Sequence, residues 1–152
     1  MRILVVEDNG NKLRQIRTFV ESNYTSALVH DATSYTSGLR RIYEEQWDIL
    51  LLDMTLPVYD SMGQEDGGDK KVVAGEEIMR RMLNRNIIIP TIIITQFDTF
   101  GENEISISML NEKFASSLSD VWYGTVNYED ALNKWKSDLK ILIDKILGEK
   151  HD

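Results

Sequence analysis

The chain has 152 residues, 42% of them hydrophobic, and two prolines, which is enough for one globular core and far from the composition of a disordered segment. Seventeen Lys and Arg against twenty-five Asp and Glu leave a formal charge of −8, which disfavours direct nucleic-acid binding, because that affinity comes from clustered cations neutralising phosphates. There is no cysteine, and the two histidines, His30 and His151, lie far apart, so disulfides, thiolate chemistry, a Cys zinc site and a His-rich metal site lack their ligands.

The chain opens on Met1-Arg2-Ile3-Leu4-Val5-Val6-Glu7-Asp8, an apolar run that stops at two acids. It is too short for a signal-peptide core or a membrane span, so a cytoplasmic location with no membrane partner is expected. Ile3–Val6 reads as the first strand. A helix is expected over about Asn11–Ser22, with Leu13, Ile16 and Val20 on one face. Then come a strand at Ala27–His30, a helix over about Ser34–Gln46 capped by Thr33 or Ser34 with Leu39 and Ile42 inward, and a strand at Asp48–Leu52.

Tyr59–Lys71 holds three glycines and six charged residues with no apolar period, and reads as a mobile inserted surface loop. Lys70 and Lys71 either face solvent or reach toward the strand ends. The fourth strand is expected at Thr91–Ile94. A polar connection, Gln96–Asn103, carries Phe97 and Phe100 ahead of a helix over Glu104–Leu118, and Val121–Thr125 is the fifth strand. Tyr128, Leu132, Trp135, Leu139, Leu142 and Ile146 recur at spacings of four and three, which predicts a last helix capped at Asn127, ended by Gly148 and packed on the sheet. Short apolar runs alternating with helical segments predict an α/β fold: one domain over residues 1–152, with a parallel sheet buried on both faces.

In such a sheet ligands bind beyond the carboxyl ends of the strands. Glu7 and Asp8 end strand one, Asp53 ends strand three and Thr95 ends strand four. Taken singly, each acid also suits a turn or a helix cap. Together the carboxylates repel and call for a cation, and an oxygen-rich set of this kind suits weakly held Mg²⁺ or Mn²⁺.

The segments Val5-Val6-Glu7-Asp8-Asn9, Leu51-Leu52-Asp53-Met54-Thr55-Leu56-Pro57 and Ile93-Ile94-Thr95 resemble the receiver domain of two-component response regulators, over nearly the whole chain. The resemblance implies a flavodoxin-like, doubly wound, five-stranded parallel sheet in the order 2-1-3-4-5 with five helices. It also implies that Asp53 is the phosphoacceptor, that Glu7, Asp8, Asp53 and the backbone carbonyl of Thr55 hold Mg²⁺, and that Thr95 hydrogen-bonds a phosphoryl oxygen. A histidine kinase or phosphotransfer protein would be the donor and an unknown output protein the reader, with homodimerisation left open.

Receivers carry a lysine near the end of strand five that pairs with the phosphoryl group, yet no Lys or Arg lies between Lys113 and Lys134. Thr125 falls nearest that position. Trp122 then either takes the place of the aromatic that swings inward on activation or simply packs on the sheet. Gln96 follows Thr95 where receivers have a small residue, and is expected to narrow the pocket. The site would then be inefficiently phosphorylated and switch weakly, or be completed by Lys70 or Lys71. A degenerate receiver acting as a phosphorylation-independent interaction module is the alternative. A metal-dependent phosphohydrolase is less well supported, because Asp53-Met54-Thr55 lacks a second carboxylate two residues on.

Overall fold

Ile3 and Val5 point to one side of the first strand and Leu4 and Val6 to the other, and all four are buried, so this strand must be covered twice. The computed structural model describes residues 1–61, 69–96, 99–100, 105–128 and 133–150. Its main sheet holds β1 (Arg2–Val6), β2 (Leu28–Ala32), β3 (Ile49–Leu52), β4 (Thr91–Thr95) and β5 (Trp122–Asn127). All pairings are parallel and the order is β2-β1-β3-β4-β5, the doubly wound topology expected.

Alternation along the strands divides the core into two layers. Ile3, Val5, Ile49, Leu51, Ile92 and Ile94 face α1 (Gly10–Asn23) and α5 (Lys134–Lys150) through Ile16, Val20, Trp135, Leu139 and Ile143. Leu4, Val6, Leu50, Leu52 and Ile93 face α2 (Tyr35–Glu44), α3 (Ala74–Asn84) and α4 (Ile107–Ser117) through Leu39, Ile42, Ile78, Met82, Leu110 and Phe114. Among the described residues no helix is long and apolar enough to cross a membrane.

Three local expectations are corrected. The last helix starts at Lys134 and runs through Gly148 rather than ending there. Tyr128 lies ahead of it, tied by its N–H to the carbonyl of Thr95 at 2.8 Å, and its ring packs on Trp135 at 5.2 Å. Its helical spacing therefore reports a real contact made from outside the helix. The buried stripe runs Trp135, Leu139, Ile143, Ile146, with Leu142 half-buried, and Leu132 lies outside the described residues.

Lys70–Lys71 is not loop: it pairs antiparallel with Leu56–Pro57, and Val58 N–H extends the ladder to the carbonyl of Asp69 at 3.2 Å. Residues 62–68 of the inserted segment lie outside the described residues. Likewise Thr99–Phe100 of the polar connection pairs with Ile105–Ser106, so the helix expected from Glu104 begins at Ile107, while 97–98 and 101–104 lie outside the described residues.

Trp135 is fully buried between Phe19 and Tyr128, so it fixes α5 against the sheet. Trp135→Ala should lower unfolding free energy by about 3–5 kcal/mol in urea titrations, the usual cost of emptying a large aromatic site. A loss below about 1 kcal/mol would mean that α5 is held some other way.

Candidate functional site

The strand order reverses around β1, so the crevice lies beyond the carboxyl ends of β1 and β3. Pairing of Val6 with Leu52 brings the next residues, Glu7 and Asp53, side by side. The N–H of Asp53 continues the ladder to the carbonyl of Val6 at 3.1 Å, and that of Glu7 to the carbonyl of Ala32 at 3.0 Å. Glu7, Asp8 and Asp53 each place one carboxylate oxygen within 4.8 Å of the others. Glu7 and Asp53 are buried, 1% and 2% exposed, whereas Asp8 is half-buried at the rim.

The turn leaving β1 is organised by its own side chains. Glu7 Oε2 accepts from the N–H of Asn9 at 3.0 Å, and Asn9 Oδ1 caps α1 by accepting from the N–H of Lys12 at 2.9 Å. This fixes where the helix begins and directs Lys12, one and two steps of four before Ile16 and Val20, onto the buried face. The Lys12 ammonium lies 2.6 Å from Glu7 Oε1 and 3.4 Å from Asp53 Oδ1, and donates to the carbonyl of Ile94 at 2.9 Å and to Gln96 Oε1 at 2.8 Å. An ammonium has three protons, so the three short contacts are its hydrogen bonds and the longer approach to Asp53 is mainly coulombic.

Sequence reasoning missed Lys12: its register with the apolar stripe Ile16 and Val20 signals burial on α1, but not which groups it meets there. Its placement corrects two expectations. The ammonium at Asp53 comes from α1, neither from Lys70, which pairs with Asp8 Oδ2 at 3.0 Å, nor from Lys71, which pairs with Glu77 at 3.1 Å. The Gln96 side chain is exposed, and its carbonyl holds Lys12. At the end of β5 the residue beside Thr95 is Asn127, while Thr125 sits beside Ile93, because the register slips by one residue between Trp122 and Gly124.

Thr95 is fully buried at the end of β4, close to Met54, Asn111 and Thr125. Trp122 is half-buried: its Nε1 donates to Thr125 Oγ1 at 3.2 Å, its ring meets Phe114 edge-on at 5.8 Å, and Thr125 donates to Asn111 Oδ1 at 2.7 Å. In this state Trp122 packs toward α4. The Thr55 hydroxyl donates to the carbonyl of Val72 at 2.8 Å and so ties the turn after Asp53 to the approach to α3. Gly75 comes close enough that a Cβ there would stand 2.8 Å from the carbonyl oxygen of Asp53.

Asp8 Oδ1 and Asp53 Oδ2 have no hydrogen-bond or ion-pair partner among the described residues, and three acids that each bring one hard oxygen within 4.8 Å of the others suit a small divalent cation. The Lys70 pair on Asp8 is at the exposed rim, Lys70 being 59% exposed, and contributes little that a cation would have to overcome.

Burial pushes the Asp53 carboxyl up to about 7; Lys12 and the Met54 N–H at 2.8 Å oppose the rise, and Glu7 and Asp8 add to it. The folded protein therefore keeps a proton that the unfolded chain has already released. The extra stability is present below the unfolded value of 3.8 and is lost as pH climbs through about 7. Asp53→Asn removes this dependence. In chelator at pH 8 the variant should exceed wild type by on the order of 1–3 kcal/mol, with the gap closing toward pH 4. Equal urea midpoints at pH 8 would show that Asp53 carries no burial penalty.

No family model matches the chain. The Detocs response regulatory protein DtcB of Enterobacter cloacae is 34% identical over 143 residues, which cover 91% of this chain and 95% of that protein. The uncharacterized protein y4jR of Sinorhizobium fredii is 29% identical over 144 residues, covering 92% and 95%. Among solved structures, a CheY-like response regulator receiver domain from Methanospirillum hungatei matches with a TM-score of 0.64 at 20% identity, covering 99% of this chain and 98% of that one. A receiver domain from Clostridium thermocellum matches with a TM-score of 0.64 at 21% identity, covering 99% and 96%. The structural matches speak to the fold, and the identity to DtcB carries the family: with an acidic triad typical of the receiver Mg²⁺ site at the strand ends, the chain belongs to the response regulator receiver family of two-component signalling, a class of signalling modules rather than enzymes.

Proposed function

We propose that the chain is a phosphoacceptor receiver that takes a phosphoryl group onto Asp53 from a histidine kinase or phosphotransfer protein in the cytoplasm. Residues 1–152 act as one unit, with an inserted polar segment at about 59–71. The observation that supports this best is a buried aspartate at the switch point, with one oxygen free of partners among the described residues and two further carboxylates within 4.8 Å. Glu7, Asp8, Asp53 and the Thr55 carbonyl would hold Mg²⁺, which would supply positive charge against the transferring phosphoryl group.

The free oxygen of Asp53 is the nucleophile: it forms the new O–P bond as the P–N bond to the donor histidine breaks, and the imidazole leaves with its electron pair and is then protonated. Burial keeps Asp53 poorly solvated and holds competing water away. The Thr95 hydroxyl would donate to a phosphoryl oxygen. A dianionic group placed beside Thr95 changes the charge facing Thr125, Asn111 and Trp122, and so biases the β5–α4 surface that an output protein reads. The name of the DtcB relative, a response regulatory protein, agrees with this role.

A second reading has one observation in its favour. Lys12 and Lys70 already pair with all three acids, so the pocket is partly neutralised without a metal, as a phosphorylation-independent interaction module would need. Intact-mass measurement with Mg²⁺ and a small phosphodonor separates the two. Wild type should gain one phosphoryl group, Asp53→Asn none, and Asp8→Ala should lose Mg²⁺ binding and labelling together. Wild type that stays unmodified would leave the interaction module as the better account.

A further inference from the structure

We propose that Lys12, delivered by α1, is the cation that pairs with the phosphoryl group on Asp53, and is thus a catalytic residue supplied from outside β5. The inference rests on the phosphoacceptor reading of Asp53. It starts from charge: a dianionic phosphoryl group joins a pocket that already holds three carboxylates, and each negative charge in a buried site needs a partner. Strand β5, Trp122–Asn127, contains no lysine or arginine. Among the described residues the ion pair to Asp53 is made by Lys12, at 3.4 Å. Lys70 is paired with Asp8 at 3.0 Å, and Lys71 is turned to Glu77 and the ring of Tyr35, 4.8 Å away.

The pattern of Lys12 contacts fits a cation poised for a ligand. Its bonds to Glu7 and to the carbonyl of Ile94 are fixed by strand ends. The third goes to the side chain of Gln96, an exposed residue that can turn to water at little cost. When the O–P bond forms, the ammonium can exchange the Gln96 oxygen for a phosphoryl oxygen without moving its anchor. It keeps all its protons and donates a charge-assisted hydrogen bond to the charge that develops on the transferring group. Gln96 is then the placeholder that holds Lys12 in position before transfer.

The test pairs two readouts that move in opposite directions. Lys12→Met should label from a small phosphodonor with Mg²⁺ about tenfold more slowly than wild type, or worse, by intact mass. Calorimetric titration with MgCl₂ should show the same variant binding the metal severalfold more tightly, since an ammonium has been removed from the carboxylates. A purely structural role would weaken both. Lys12→Gln, polar and uncharged, carries the same expectation if the Met variant folds poorly. Labelling of either folded variant at the wild-type rate, or parallel loss of labelling and Mg²⁺ affinity, overturns the role of Lys12. Failure of wild type itself to label overturns the phosphoacceptor reading instead, and the two failures are therefore distinct.

Discussion

A buried ammonium shared between two buried carboxylates is the constraint on which the rest of the pocket depends. Glu7 and Asp53 sit on adjacent strand ends because Val6 and Leu52 pair, so their separation is set by the sheet and cannot relax. Left alone, two desolvated carboxylates at that spacing would hold a proton between them. Lys12 keeps Glu7 paired at 2.6 Å and moderates Asp53 from slightly further off. That asymmetry leaves Asp53 the less satisfied acid, with an oxygen to offer, while Glu7 serves as an anchor.

The device is built from short-range parts. A carboxylate at the end of β1 organises the N–H of Asn9, Asn9 caps the helix, and the cap decides which side of α1 Lys12 takes. On the other wall, Gly75 lets α3 begin against the backbone of Asp53, where any side chain would collide with its carbonyl. Thr95 closes the floor and looks toward Asn111, Thr125 and Trp122, so the charge state of the pocket and the packing of α4 on β5 are separated by one layer of side chains.

Much of this was legible in the sequence, and the exceptions have physical causes. The five strands were readable because buried parallel strands are near-continuous apolar runs, and the strand-end acids were readable because they stop those runs abruptly. The sheet order came from resemblance, since periodicity does not encode which strands are neighbours. Tyr128 misled because an aromatic can meet Trp135 at helical spacing without being helical. That Asn127 rather than Thr125 pairs with Thr95 is not readable, because a one-residue slip in β5 leaves no trace in composition. Lys12 was invisible as a site residue because its partners Asp53, Ile94 and Gln96 are remote in the chain and come together only through the strand order. Lys70 reaches the rim through a two-residue ladder too short for periodicity to reveal.

If a phosphoryl group on Asp53 is met by an ammonium from α1, a crystal structure with Mg²⁺ and beryllium fluoride, which mimics a phosphoryl group on a carboxylate, should show an adduct on Asp53 with the Lys12 Nζ at about 2.7–3.0 Å from one fluoride, and Gln96 released from Lys12. An adduct whose fluorides are met by another side-chain cation, with Lys12 still held by Gln96, or no adduct at Asp53 at all, would show that Lys12 does not meet that group.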